Sequence, residues 1–248
     1  MNISKQPHHV GILYPGYSAE DDYVTAQRLL GHDVVIHVVH TEMPVDAHQE
    51  GALLEIGADE ILAAGAAQLS GLDSIIWACT SGSFIFGWEG ARRQVEALRR
   101  AAGVPASSTS FAFADATRVL NVHRVAVAAT YPGDVAERFV EFLAHAGVGV
   151  VRLSSRGIFT AAEVGTLGHD DVLDFAEAND HPTADAVLLP DTALHTMAWL
   201  DDLEAQVGKP VLTANQVSLW QALRLSGLQP PRRGLGTLFR VPVNEEVG

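Results

Sequence analysis

The sequence predicts an α/β protein made of two pseudo-symmetric parallel-sheet βαβα halves. Two observations carry this. Short apolar runs alternate with longer amphipathic ones along the whole chain, and a set of spaced residues in the first half returns, in the same order, in the second. Alternation of that kind is expected of parallel strands joined by crossover helices, because each strand must be covered on both faces.

The strand candidates are 10–14, 34–38, 73–78, 124–129, 148–153, 186–189 and 210–213. They are short and dominated by apolar and β-branched residues, as strands buried on both faces are. Helix candidates lie near 19–30, 47–70, 89–102, 108–120, 134–146, 160–178, 195–207 and 215–226, where apolar residues recur at helical spacing. Gly31, Gly103, Gly147, Gly208 and Gly227 stand where helix C-caps are expected.

The repeat is more informative than the alternation. Tyr14-Pro15-Gly16-x-x-Ala19-Glu20 returns as Tyr131-Pro132-Gly133-x-x-Ala136-Glu137. Gly31-x-x-Val34-Val35 returns as Gly147-x-x-Val150-Val151, and the segment ending in Cys79-Thr80 returns as the one ending in Asp191-Thr192. The chain thus divides into an N-terminal half, 1–117, and a C-terminal half with a tail, 118–248, each flavodoxin/Rossmann-like. Ligands of open parallel sheets sit beyond the carboxyl ends of the strands. That rule brings the loops 14–18, 79–83, 131–135 and 191–195 to one cleft between the halves.

Composition excludes several partner classes. Of 248 residues, 16 are Lys or Arg and 30 are Asp or Glu, for a formal charge of −14. No nucleic acid or anionic membrane partner is expected of such a surface, since both need cations to meet phosphates. There is no phosphate loop and no intact dinucleotide fingerprint. A single cysteine removes any internal disulfide or CxxC site. The histidines show no HExxH or clustered carboxylate pattern, so no metal site is expected. The start, MNISKQPHHV, lacks a secretory pattern, and the charge-free stretch 74–88 is too short to span a bilayer. The expected location is cytoplasmic, and the expected partner a small carboxylate, with a homo-oligomer possible.

Chemistry concentrates on the cleft. Cys79 follows Ile75-Ile76-Trp77-Ala78 and precedes Thr80-Ser81-Gly82-Ser83. A thiol facing a helix N-terminus can have its pKa lowered, and the same N–H groups with the Thr80 and Ser81 hydroxyls make a carboxylate cradle. A lone cysteine is otherwise most often an inert buried thiol. Asp191, at the repeat-equivalent position, reads either as a helix N-cap or as an acid/base facing Cys79. Tyr14 and Tyr131 end strands before Pro-Gly, where a phenol can donate to a carboxylate or simply pack. His195 reads as an exposed helix residue. Arg92-Arg93 and Arg99-Arg100 read as a solvated face, and Arg232-Arg233 belongs to the tail. The residues two either side of Cys79 are Trp77 and Ser81, not glycines, which disfavours a nucleophile elbow.

The two halves, the Cys-Thr pair after the third strand and the reactive position repeated after its counterpart resemble the aspartate/glutamate racemase superfamily. Within it the chain is similar to the maleate cis-trans isomerase and arylmalonate decarboxylase branch. The likeness rests on 10–15, 75–84 (IIWACTSGSF), 127–138 (VAATYPGDVAER), 187–192, 218–227 (SLWQALRLSG) and the closing Gly234-x-Gly236-x-Leu238-Phe239. It implies cofactor-independent enzymes with the site between the halves. The carboxylate would be held by Thr80, Ser81, Tyr131 and the backbone near Thr192, with Tyr14 and Ser18 on the first loop. Isomerases and racemases of the superfamily pair two cysteines, one per half; here Asp191 replaces the second. The decarboxylase branch keeps only the second-half cysteine, the reverse of this chain. Two asparagine positions typical of maleate isomerases fall here on Gly16-Tyr17-Ser18 and on Thr160-Ala161.

The expectation is therefore a cofactor-independent, maleate isomerase-like isomerase or racemase of a small carboxylic acid. Cys79 would serve as thiolate nucleophile or base and Asp191 as the opposing acid/base. The alternatives are an arylmalonate decarboxylase-like enzyme in which Cys79 delivers the proton, and a non-catalytic carboxylate-binding or sensor protein.

Overall fold

The computed structural model describes residues 6–228 and 231–241. Its frame is two four-stranded parallel sheets with the same strand order. The first half contributes β1 (His8–Pro15), β2 (Val34–Thr41), β3 (Ser74–Trp77) and β4 (Ala106–Ser108), ordered β2-β1-β3-β4. The second contributes β5 (Arg124–Ala129), β6 (Gly149–Ser155), β7 (Ala186–Leu189) and β8 (Val211–Thr213), ordered β6-β5-β7-β8. In each sheet the strand that opens the half lies second, so the strand order reverses beside it. That is the point where parallel sheets leave a crevice for ligands.

The central strands bury both faces. Val10, Ile12, Leu13, Ile75, Ile76 and Trp77 are inaccessible to solvent, as are Val125, Val127, Val187 and Leu188. Around the sheets lie α1 (Asp22–Leu30), α2 (Glu50–Ile56), α3 (Asp59–Ala66), α4 (Ser81–Phe84), α5 (Gly87–Ala102) and α6 (Thr109–Val119) of the first half. The second half adds α7 (Gly133–His145), α8 (Ala161–Val164), α9 (His169–Ala178), α10 (Leu200–Val207) and α11 (Ala214–Leu225). Gly103 and Gly208 close α5 and α10 in the left-handed conformation, with φ of 70° and 73°. Among the described residues no helix is long and apolar enough to cross a membrane.

Three expected helices are interrupted. The run 47–70 breaks into α2 and α3 at Gly57, where a side chain is not tolerated: a Cβ would lie 2.3 Å from the Gly82 carbonyl oxygen. Gln94 Nε2 locks this contact by donating to the carbonyls of Gly57 (2.7 Å) and Gly82 (2.9 Å). The run 160–178 breaks between α8 and α9 at Gly165–Gly168. The run 195–207 starts later, with a short 3-10 turn (Met197–Trp199) ahead of α10, leaving His195 in a loop. His195 is partly buried and its Nε2 lies 2.8 Å from Asp21 Oδ1.

The halves are tied across their shared face. Phe139 of α7 packs on Phe84 (ring centroids 5.4 Å apart) and Phe113 (5.4 Å). Truncating such a fully buried ring costs about 3–5 kcal/mol. The last helix, α11, lies on the first half: Ser74 Oγ donates to the Ala222 carbonyl (2.7 Å), and Thr109 Oγ1 meets Ser218 Oγ at 2.6 Å. The buried Asp22 carboxylate accepts from the Thr196 and Met197 backbone N–H groups and from Asn215 Nδ2. Burial raises its pKa even so, while those three donors pull the other way.

Candidate active site

At the carboxyl ends of β1, β3 and β7 lies a small, partly open cavity of about 30 Å³, room for about two waters. Tyr14, Ser18, Cys79, Ser81, Asp191 and Thr192 line it. Three of the four loops picked out by the repeat therefore meet there. The fourth, 131–135, stands behind: Tyr131 donates its hydroxyl to the Pro190 carbonyl (2.8 Å) and is not part of the lining.

Cys79 sits just past β3, where the chain turns into α4. Its Sγ accepts the Gly82 N–H (3.2 Å) and lies 3.8 Å from Ser81 Oγ. Gly82 leaves room for the thiol, since a Cβ there would approach Sγ to 3.0 Å and press it aside. The thiolate expected from the helix N-terminus is not what this environment makes. Burial pushes the thiol up to about 12, against the smaller downward pull of the Gly82 N–H and Ser81, and the nearby Asp191 carboxylate raises it further. The helix behind it is one turn long, too short for its dipole to offset desolvation. Burial thus favours the neutral form of the Cys79 thiol.

Asp191 occupies the corresponding turn after β7, but its surroundings are polar. Oδ1 accepts the Ala193 N–H (2.9 Å) and Oδ2 accepts the Thr130 hydroxyl. This is a local turn around the carboxylate rather than a helix cap, because no helix follows until the 3-10 turn at Met197.

The other expected binding residues divide. The Tyr14 hydroxyl donates to the Thr192 carbonyl (2.8 Å), accepts the Ala19 N–H (3.0 Å) and meets Ser18 Oγ at 2.7 Å. Burial raises the pKa of both tyrosines, so each stays a neutral phenol. With both phenolic protons donated to carbonyls of the chain itself, neither is free for a ligand in this arrangement. The Thr192 carbonyl also accepts from Asn215 Nδ2 (3.0 Å). Thr80 lies behind Cys79, and its hydroxyl is buried without a hydrogen-bond partner among the described residues. Thr80 does not line the cavity, so of the expected Thr80-Ser81 cradle only Ser81 reaches it. Thr160 caps α8, accepting the Glu163 N–H (3.2 Å), while Ala161 reaches the cavity wall.

The sequence reading did not find the segment between β2 and α2. Met43, Val45, Asp46, Ala47 and His48 form one side of the cavity. The segment is zipped to the second half. The Asp46 carboxylate accepts the N–H groups of Ala161 (2.7 Å) and Ala162 (3.0 Å). The His48 N–H donates to the Phe159 carbonyl (2.6 Å), and the His48 ring stacks edge-on against Tyr131. Gly16, at φ 63°, lets Met43 come in: a Cβ there would lie 2.3 Å from Met43 Cε. No repeat marks this segment, and Asp46 and His48 stand beside apolar neighbours at 43–47, which was the available signal. Among the described residues no group of three or more His, Cys, Asp or Glu is placed to hold a metal ion.

Comparison with known proteins agrees with this architecture. The family model for arylmalonate decarboxylase matches residues 55–239. The arylmalonate decarboxylase of Bordetella bronchiseptica is 35% identical over 149 residues, 58% of this chain and 61% of that protein. The maleate isomerase of Alcaligenes faecalis is 24% identical over 140 residues, 56% of this chain and 55% of that protein. The chain thus aligns with somewhat under two thirds of the length of these curated relatives. The crystal structure of the maleate isomerase Iso from Pseudomonas putida S16 superposes with a TM-score of 0.83 at 20% identity, covering 94% of this chain and 98% of the other, and so shares its fold. With the matched region running from α2 through both reactive turns to the last 3-10 turn, the chain belongs to the arylmalonate decarboxylase family.

Proposed function

We propose that the protein is a cofactor-independent decarboxylase of a substituted malonate, with Cys79 as the proton donor. The observation that carries this reading is the state of Cys79: a single thiol at the cavity wall, kept protonated by burial. A neutral thiol is a poor nucleophile and a ready donor to a carbanion.

The steps follow from the lining. One substrate carboxylate takes the turn at Ser81, the part of the expected cradle that reaches the cavity. The other lies toward Asp191 and the apolar walls of Met43, Val45, Leu53 and Ile56, where a second negative charge is poorly solvated. The C–C bond to that carboxylate breaks, CO2 leaves, and the electron pair stays as an enediolate on the retained carboxylate. The cradle donors stabilise that charge as it forms. The Cys79 S–H bond then breaks as the new C–H bond forms, leaving a thiolate. Because the cavity holds only about two waters, a substrate needs more room, and the 42–49 segment that forms one wall would have to lift to admit it.

The expected isomerase or racemase remains the second reading. Its support is that Cys79 and Asp191 reach one cavity from opposite halves, as two-sided proton transfer needs. It would require the thiol to lose its proton to substrate binding or to Asp191. Proton NMR in D2O with phenyl- and alkylmalonates, maleate, aspartate and hydroxy acids separates the readings. Loss of CO2 with one deuterium in the product, abolished by Cys79→Ala, is the expected result. Deuterium exchange or isomerisation without CO2 release would favour the isomerase. Ligand-induced shifts with no turnover would favour a binding or sensor protein.

A further inference from the structure

His48 is a buried, titratable side chain on the closing segment that the proposed steps leave unused. Its Nδ1 lies 3.0 Å from the Ile158 carbonyl oxygen. A carbonyl only accepts, so the proton of the neutral ring is on Nδ1, and Nε2 is the free base. That Nε2 faces Asp191 Oδ2 at 3.9 Å, with both side chains more than nine-tenths buried. The titratable groups around it are Asp191 from the turn after β7, Tyr131 from the turn after β5, Cys79 across the cavity and Asp46 on its own segment. Among these, the carboxylate opposite Nε2 is that of Asp191.

We propose that His48 is a positioning and proton-relay partner of Asp191, and that the pair restores the proton of Cys79 after each turnover. This rests on the decarboxylase reading above. When the product has taken the thiol proton, the Cys79 thiolate faces a pair that carries one proton. The Asp191 O–H bond breaks as S–H forms. When the 42–49 segment lifts, a water O–H bond breaks as the His48 Nε2–H bond forms, the hydroxide combining with the released CO2; on reclosing, that N–H bond breaks as the carboxyl O–H is renewed and Nε2 is bare again. The relay is thus assembled only with the cavity closed, because His48 arrives on the segment that closes it.

Two variants separate this role from simple anchoring. In His48→Asn the amide can still donate to Ile158 but no base faces Asp191. In His48→Gln the amide reaches toward Asp191 but the Ile158 anchor is lost. Multiple turnover is expected to fall about 100-fold in both, with KM near wild type in His48→Asn. A single turnover, which consumes only the thiol proton, should be little changed in His48→Asn. Recovery of multiple turnover by His48→Asn would reduce His48 to an anchor and overturn the proposal.

A substrate-free readout makes the test independent of the reaction. In protein carrying 15N-histidine, neutral His48 should show a protonated Nδ1 and a bare Nε2, and Asp191→Asn should displace the Nε2 resonance at fixed pH. An Nε2–H tautomer, or a resonance that Asp191→Asn leaves in place, would overturn the pairing whether or not a substrate is found. Lack of any turnover with the resonances as expected would instead sink the decarboxylase reading and, with it, the resetting of Cys79.

Discussion

The turns after β3 and β7 occupy equivalent places in two sheets of identical strand order, yet they treat their reactive side chains in opposite ways. After β3, Cys79 is given one backbone N–H and a distant hydroxyl, and burial wins: the charged form is expelled. After β7, Asp191 receives a backbone N–H, the Thr130 hydroxyl and a facing imidazole. One turn runs directly into a helix, while the other delays its helix until the 3-10 turn at Met197 and wraps the intervening backbone around a carboxylate. A duplicated scaffold therefore fixes where the two side chains stand, and the contacts in each turn set them apart, one backbone donor for Cys79 against a backbone N–H and a hydroxyl for Asp191.

Breaking the first turn should have the largest effect. Cys79→Ala is expected to lower turnover about 1,000-fold, measured as CO2 release, with thermal unfolding close to wild type. Asp191→Asn keeps the shape but removes the titratable carboxyl, and about 100-fold is expected in the same assay. An unchanged rate in Asp191→Asn would mean that the asymmetry between the turns is structural only. Gly82→Ala adds a Cβ 3.0 Å from Sγ and displaces the thiol without touching its chemistry. A loss of about tenfold in kcat is expected, with CD spectra unchanged.

The smaller effects concern closure and stability. Asp46→Ala removes two hydrogen bonds at about 1 kcal/mol each, and it should raise KM several-fold while leaving the chemical step intact. In denaturation, the raised thiol pKa has a definite sign. An unfolded thiol ionises near pH 8.5, whereas the folded one keeps its proton to about 12. Its contribution to stability is full below about pH 8.5 and is lost as pH rises toward the folded value. About 2 kcal/mol should go by about pH 10. Cys79→Ala should flatten that alkaline slope, and an unaltered slope would contradict a protonated Cys79.

The sheets were legible because both halves obey one pattern. Buried runs such as 124–129 and 186–189 coincide with β5 and β7, and the Tyr-Pro-Gly repeat placed the turns. Strand β4, Ala-Ser-Ser, was not legible, since three small residues make no apolar run and are strand only because β3 offers a partner edge. The long helices at 47–70 and 160–178 hid their breaks, because the interruption at Gly57 is forced by a carbonyl and a glutamine distant in sequence. At the site, Cys79, Ser81 and Asp191 were visible as polar residues ending apolar strands. The sign of the Cys79 shift was not, because desolvation depends on what covers the thiol. The cover, Met43 to His48, lies in an irregular segment without repeat or periodicity, and His48 has meaning only opposite Asp191 and Ile158.

The account stands on Cys79 being a neutral thiol at working pH. The most direct measurement is the pH dependence of thiolate absorbance near 240 nm in the folded protein, with Cys79→Ala as the blank. The account predicts no thiolate at neutral pH and its appearance only toward pH 12. A thiolate signal already present at pH 7 would contradict it and return Cys79 to the role of nucleophile or base.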